Sequence, residues 1–173
     1  EAIQLIDHSA LEVQMEVLWV LERSDDEVLV EKTMLQMLVS NFADVRVRVL
    51  DFFRDYGTEA VFGPTKDMVE HRATRGITNR ECEAAGRVMA AVDPDQAKQV
   101  LMAWIKPPGM FKRGGEMPGA QSLQRAALHG LTELPGKEID KVIRWLSERC
   151  GEQIYELCMK TLVHRRKEGL SSG

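Results

Sequence analysis

The sequence has no long apolar segment and few of the residues that build fibrous or low-complexity proteins. Its longest unbroken run of apolar residues covers only positions 100–105, whereas a membrane-spanning helix needs about 20. Glycine and proline number 13 and 6 among 173 residues, which excludes collagen-like chains. Hydrophobic residues make up 44% of the chain and charged residues 29%. These values are typical of one globular domain or a short array of repeats.

Cysteine is also scarce, since Cys82, Cys150 and Cys158 are the three thiols of the chain. There is no Cys-x-x-Cys pair, and no histidine lies at zinc-finger spacing from a cysteine. On one continuous helix Cys150 and Cys158 would lie about 12 Å apart, beyond disulfide reach, although Gly151 can break that helix. We expect reduced, buried thiols in a cytoplasmic protein, without a bound metal or cofactor.

The chain lacks the excess of positive charge that is typical of nucleic-acid-binding proteins. It has 23 basic and 27 acidic residues, a net charge of −4. The charge is uneven: residues 1–33 carry nine acids against two bases, and residues 137–173 carry eight bases against six acids. The basic cluster Arg165, Arg166 and Lys167 follows His164. These bases either complement the dipole of the last helix or contact an anion or an acidic partner.

Apolar residues recur with helical periodicity along most of the chain, and no segment alternates as a strand does. The sequences Ser9-x-x-Glu12, Ser24-x-x-Glu27 and Thr78-x-x-Glu81 fit capping boxes, and Asp93-Pro94 fits a helix start. The Gly63-Pro64 pair is expected to limit residues 59–62 to one turn. The pattern predicts an all-α fold with helices near 10–23, 25–40, 43–56, 65–72, 79–92, 94–106, 119–134, 137–149 and 152–168.

One apolar pattern recurs in alternate helices and suggests that they are repeats. It has apolar residues at a first position and then four, five and eight residues later. Its copies start at 13, 45, 81, 123 and 154, and the third is degraded, with Glu81 in first place. Intervals of 31 to 42 residues each fit one helical hairpin. They do not fit a strict tetratricopeptide array.

These hairpins resemble HEAT repeats, in which a second helix opens with a Val-Arg pair after an Asp-containing turn. Residues 26–57 resemble one unit, with Asp44-Val45-Arg46 at that turn, and residues 95–136 resemble another. Residues 59–92 and 137–168 fit more loosely, and residues 9–23 resemble a lone second helix. The resemblance implies a right-handed α-solenoid over residues 1–173, with about four hairpins. Because residue 1 is Glu, we expect a fragment of a longer protein.

The sequence shows no constellation typical of an enzyme. It has no phosphate-binding Gly-x-x-x-x-Gly-Lys loop, no Gly-x-Ser-x-Gly elbow and no His-Glu-x-x-His motif. One HEAT-like family, the alkylpurine DNA glycosylases, does catalyse, and Trp104 and Trp145 are the aromatics that such a site could use. Both tryptophans lie where helices need large apolar residues. We therefore expect a non-catalytic protein.

Two functions remain open. The resemblance implies a protein–protein interaction scaffold. The alternative is a nucleic-acid-binding module that uses Arg46, Arg48, Lys112, Arg113 and the terminal basic cluster. Arg46 and Arg48 point about 200° apart on one helix and cannot serve one surface. The resemblance assigns Arg46 a structural role, as a partner of Asp44 or of an acid in the neighbouring hairpin.

The segment 107–118 is too long and too rich in Gly and Pro for a simple helix-to-helix turn. It nevertheless contains apolar and basic side chains, a mixture that suits an acidic peptide or a phosphate group. The residues predicted to bind a partner are Lys106, Met110, Phe111, Lys112 and Arg113. The alternative is an insertion whose Phe111 packs on the helices.

Overall fold

The computed structural model describes residues 5–106 and 119–171. This part of the chain has nine α-helices and no β-strand, so the prediction of an all-α fold is confirmed. Each helix lies within three residues of its predicted bounds. The helices are Leu11–Leu21 (α1), Glu27–Met37 (α2), Ala43–Tyr56 (α3), Phe62–Ala73 (α4), Asn79–Val92 (α5), Pro94–Ile105 (α6), Ala120–Leu131 (α7), Lys137–Ser147 (α8) and Glu152–Lys167 (α9).

The helix starts agree only in part with the capping residues predicted from the sequence. Thr78 forms a reciprocal capping box with Glu81, and the Asp93 side chain accepts a hydrogen bond from the Gln96 backbone N–H at 3.0 Å. The boxes predicted at Ser9 and Ser24 are wrong. Helix α1 begins after Ala10 without a side-chain cap, and Asp26 caps α2. A second polar residue near the helix start therefore displaced the expected cap in α2.

Residues 59–61 are limited to one turn, as expected, but the Gly63-Pro64 pair lies inside the next helix and not before it. A short 3-10 helix, Glu59–Val61, leads directly into α4, which runs through Gly63 and Pro64. Proline is tolerated there because it lies in the first turn, where its missing N–H has no helical acceptor.

The odd-numbered helices pack on one another in chain order: α1 on α3, α3 on α5, α5 on α7 and α7 on α9. Each even-numbered helix from α2 to α8 packs on the odd-numbered helix that follows it. The core between them contains large side chains that are fully buried, among them Met34, Leu50, Phe53, Leu101 and Leu128. No helix in the described residues is long and apolar enough to cross a membrane.

Helices α5 and α7 meet backbone to backbone. A Cβ atom at Gly86 would clash with the carbonyl oxygen of Ala126, and one at Gly130 would lie 2.5 Å from the carbonyl oxygen of Gly86. Ala85 and Ala127 beside them are fully buried. These small residues allow the two helices to approach closely, and the two glycines define the point of contact.

A buried ion pair joins α3 to α5. The Arg46 guanidinium Nε lies 2.6 Å from the Glu81 carboxylate Oε1, and both side chains are buried. Arg46 also donates to the carbonyl oxygen of Ser40. The predicted structural role of Arg46 is confirmed, and its partner is the acid of the neighbouring hairpin. Asp44 was the other candidate partner of Arg46, but its Oδ1 lies 3.6 Å from Nη1 of Arg80.

Candidate functional site

A groove of about 880 Å³ lies between the end of α1, helix α2 and the second half of α3. We call it the N-terminal groove. Its apolar lining consists of Leu21, Val28, Val30, Phe52 and Tyr56. Its charged lining consists of Glu22, Glu27, Glu31, Asp51 and Asp55, with Arg48 and Arg54. Ser24 and Thr58 complete it.

The local sequence explains how the walls of the groove are held. Asp26 caps α2 by accepting a hydrogen bond from the Leu29 backbone N–H at 3.0 Å. After α3 ends, the Thr58 backbone N–H donates to Glu31 Oε2 at 3.2 Å, which ties this turn to α2. Arg48 on α3 donates to both carboxylate oxygens of Glu22, at 2.5 and 2.6 Å, which fixes α3 to the end of α1. The groove is therefore supported on three sides.

Apolar side chains are exposed inside this groove. Val28 has 80% of its surface accessible and Tyr56 has 73%. Phe52 is half-buried and its ring lies 5.0 Å from that of Tyr56, centroid to centroid. Aromatic side chains that combine a rigid apolar body with a polar tip are typical of protein–protein contacts.

The charge of the groove is predominantly negative. Five carboxylates and two guanidinium groups line the groove, and both guanidinium groups have acidic neighbours. The hydrogen bond with Glu22 and its negative charge raise the pKa of Arg48. Arg54 Nε lies 2.9 Å from Asp55 Oδ1, and this hydrogen bond lowers the pKa of Asp55. The remaining carboxylates leave a surplus of negative charge around the apolar lining.

The basic cluster near the C-terminus divides into one interior and two exposed residues. Arg165 is fully buried, with its Nε 2.6 Å from Asp140 Oδ1. Its guanidinium also donates to backbone carbonyl oxygens of Leu131, Leu134, Gly136 and Leu170. The interpretation of Arg165 as an anion or partner contact is therefore wrong, because its donors are used inside the protein. Arg166 and Lys167 are exposed, and their role stays a prediction.

The predicted partner-binding segment lies almost entirely outside the described residues. Met110, Phe111, Lys112 and Arg113 belong to residues 107–118, so their role stays a prediction. Lys106 is exposed at the end of α6, with its ammonium group 5.2 Å from the centre of the Trp145 ring. Lys106 does not line the N-terminal groove.

The tryptophans considered for a glycosylase-like site are engaged with their neighbours. Trp104 is buried, and its indole Nε1 donates to Glu70 at 3.1 Å. Trp145 is half-buried beside Lys106 and has the Arg149 guanidinium 5.0 Å from its ring centre. Neither ring is placed as an open platform for a base.

The three cysteines are free thiols, and burial raises the pKa of Cys82 and of Cys158 to about 12. Helix α8 ends before Cys150 and α9 begins after Gly151, so Cys150 and Cys158 do not lie on one continuous helix. The separation of about 12 Å expected for one continuous helix therefore does not apply. Among the described residues, no group of three His, Cys, Asp or Glu side chains could hold a metal ion.

Sequence reasoning did not identify the N-terminal groove. Two of its signals were visible: the acidic surplus of residues 1–33 and the spacing of Phe52 and Tyr56 by four positions on one helix. The sequence could not show the exposure of Val28 and Tyr56, because that exposure depends on how α2 and α3 pack.

A scan against protein-family models, a search of curated proteins and a search of solved structures find no match to this chain.

Proposed function

We propose that the chain is a non-catalytic protein–protein interaction scaffold, built of HEAT-like hairpins in a right-handed α-solenoid. The packing order supports the solenoid, because each odd-numbered helix contacts the next one and each even-numbered helix completes a hairpin with its successor. The three free cysteines, two of which are buried, favour a reducing compartment such as the cytoplasm.

The N-terminal groove is the observation that carries the proposed binding function. It places exposed Val28 and Tyr56 beside a surplus of carboxylates. An apolar centre with a charged rim is the usual composition of a specific protein interface. The complementary partner is a protein segment that combines apolar side chains with Lys or Arg. Its basic groups would be steered to the groove and its apolar groups would be buried there.

A selection of random displayed peptides on the 173-residue chain tests this proposal. We expect selected peptides to pair apolar with basic residues. Val28→Ser should weaken their binding about tenfold, or about 1.4 kcal/mol, since it removes an apolar contact. Val39→Ser is the matched control, because Val39 is 72% exposed but lies outside the groove. Peptides without this composition, or equal losses in the two variants, would contradict the proposal.

The nucleic-acid alternative is less well supported by the geometry. Arg46 and Arg165 are buried and paired with Glu81 and Asp140. Arg48 is paired with Glu22 inside an acidic groove. An electrophoretic shift at low and at moderate salt separates the two functions, because phosphate contacts have a steep salt dependence. We expect no shift at either salt concentration.

A further inference from the structure

Helix α9 exposes a row of apolar side chains that the groove does not use. Tyr155, Met159 and Val163 are four positions apart and share one face of the helix. Their exposed fractions are 46%, 41% and 52%. Together with Lys160 and Lys167, Met159 and Val163 line a shallow depression of about 410 Å³. We call this surface the α9 face.

The position of Met159 is buried in each equivalent helix. The recurring apolar pattern aligns it with Leu18 in α1, Leu50 in α3, Gly86 in α5 and Leu128 in α7. All four of these residues are buried. Met159 is the member of the series that lies at the surface. The α9 face therefore has the character of a contact surface.

The charged residues near the apolar row are acidic before Met159 and basic after it. Glu152 and Glu156 precede Met159, and Lys160 and Lys167 follow it; all four are exposed. At about 100° per residue, these four residues are rotated from Met159 in the same direction, by about 20° to about 100°. One half of this edge is acidic and the other half is basic.

We propose that the α9 face binds the α9 face of a second copy of this chain, with the two helices antiparallel and a twofold axis beside Met159. This inference goes beyond the proposed groove and does not depend on it. The twofold axis brings the acidic half of each helix against the basic half of the other. Glu152 then meets the partner's Lys167, and Glu156 meets the partner's Lys160, each within about 3 Å along the helix axis.

The apolar row has the same symmetry. Tyr155 and Val163 are each four positions from Met159. In the antiparallel pair, Tyr155 of one copy therefore lies level with Val163 of the other copy. A parallel pair would instead place like charges level with each other, which is unfavourable. A single pair of helices buries less area than the 1,200–2,000 Å² or so of a stable interface, so we expect weak association, in the micromolar range or above.

Charge reversal on the 173-residue chain tests both the occupant and the orientation. Sedimentation is measured from about 10 to about 500 µM, which spans weak association. We expect the parent to dimerise in this range. Glu156→Lys and Lys160→Glu should each weaken dimerisation at least tenfold, because each brings like charges together twice in the dimer. An equal mixture of the two variants should regain the dimer, because the reversed charge of one variant would face the opposite reversed charge of the other.

The control is Lys32→Glu, the same charge reversal at an exposed position of α2. We expect it to dimerise as the parent does, and circular dichroism to show unchanged helix content in every variant. The proposal is overturned if the parent stays monomeric throughout, if the single variants dimerise like the parent, or if their mixture stays monomeric.

Discussion

Arg46 and Arg48 are two positions apart on α3, yet their guanidinium groups have different surroundings. Arg46 is buried against Glu81, whereas Arg48 is about half exposed and contacts Glu22 across the edge of the groove. Removing one partner of a buried ion pair leaves an uncompensated charge in the interior. An exposed pair contributes little, because water and salt screen it.

The two arginines should therefore respond differently to truncation. We expect Arg46→Ala to lower the free energy of unfolding by about 3–5 kcal/mol and Arg48→Ala to lower it by about 0–1 kcal/mol. Chemical denaturation of both variants and the parent measures these changes. Equal losses would show that the Arg46–Glu81 pair does not stabilise the contact between α3 and α5.

The same pair makes stability depend on pH. Burial raises the pKa of Glu81, but hydrogen bonds from Arg46 and Thr78 outweigh burial and hold it below its ordinary value of 4.5. A carboxyl whose pKa is lowered by folding stabilises the fold above its ordinary pKa. That contribution is lost as the pH falls through the folded value.

Glu81→Gln tests this dependence, because glutamine keeps the shape of the side chain and cannot ionise. We expect the variant to be less stable than the parent at pH 7. The difference in the free energy of unfolding should shrink as the pH falls below about 4.5. Denaturation midpoints at several pH values measure it. A difference that stays constant down to about pH 3 would exclude a contribution from this carboxylate.

The roles of single charged residues were only partly predictable. The Val-Arg position pointed correctly to a structural Arg46. The last-turn location of Arg165 suggested a surface cation, and nothing local showed that the carbonyl groups around residues 131–136 enclose it. Those acceptors come from the end of α7 and the connection to α8. Their position depends on tertiary packing, which local sequence does not specify.

At the scale of elements, the contact between α5 and α7 depends on two glycines. Gly130 faces the carbonyl oxygen of Gly86 and the side chain of Leu101. A methyl group at Gly130 would force the helices apart, although alanine is the better helix former by about 1 kcal/mol. The loss of close packing should exceed this gain.

We expect Gly130→Ala to destabilise the protein by about 1–3 kcal/mol, as overpacking does. Gly63→Ala is the matched control, because Gly63 also lies in a helix but a Cβ atom added to it would have no neighbouring atom within 4 Å. That variant should be neutral or slightly stabilising. Thermal denaturation compares the two. Similar melting temperatures would place Gly130 outside the helix contact.

Element bounds were the most predictable feature of the chain. Helical periodicity and the signals at Thr78 and Asp93 located helix starts, because both act within a few residues. The cap predicted at Ser24 failed because Asp26 caps α2 instead, and α1 begins after Ala10 without a side-chain cap. Glu81 occupies an apolar position of the repeat pattern, and its buried partner Arg46 lies 35 residues earlier. A pattern within one helix cannot show such a partner.

At the scale of the whole molecule, the packing order predicts an elongated particle. The odd-numbered helices contact one another in sequence from α1 to α9. We expect far-ultraviolet circular dichroism of an almost purely helical protein and small-angle scattering of an extended shape. Appreciable strand content or a compact, nearly spherical outline would contradict the proposed solenoid.

The backbone contact between α5 and α7 limits how the molecule can deform. Packed helices commonly shear by changing the rotamers of the side chains between them. At Gly86 and Gly130 there is no such layer, because carbonyl groups and glycines meet directly. We therefore expect these two helices to move as one block. Relative sliding between the N-terminal groove and the α9 face must occur at the contacts of α1 with α3, α3 with α5, or α7 with α9.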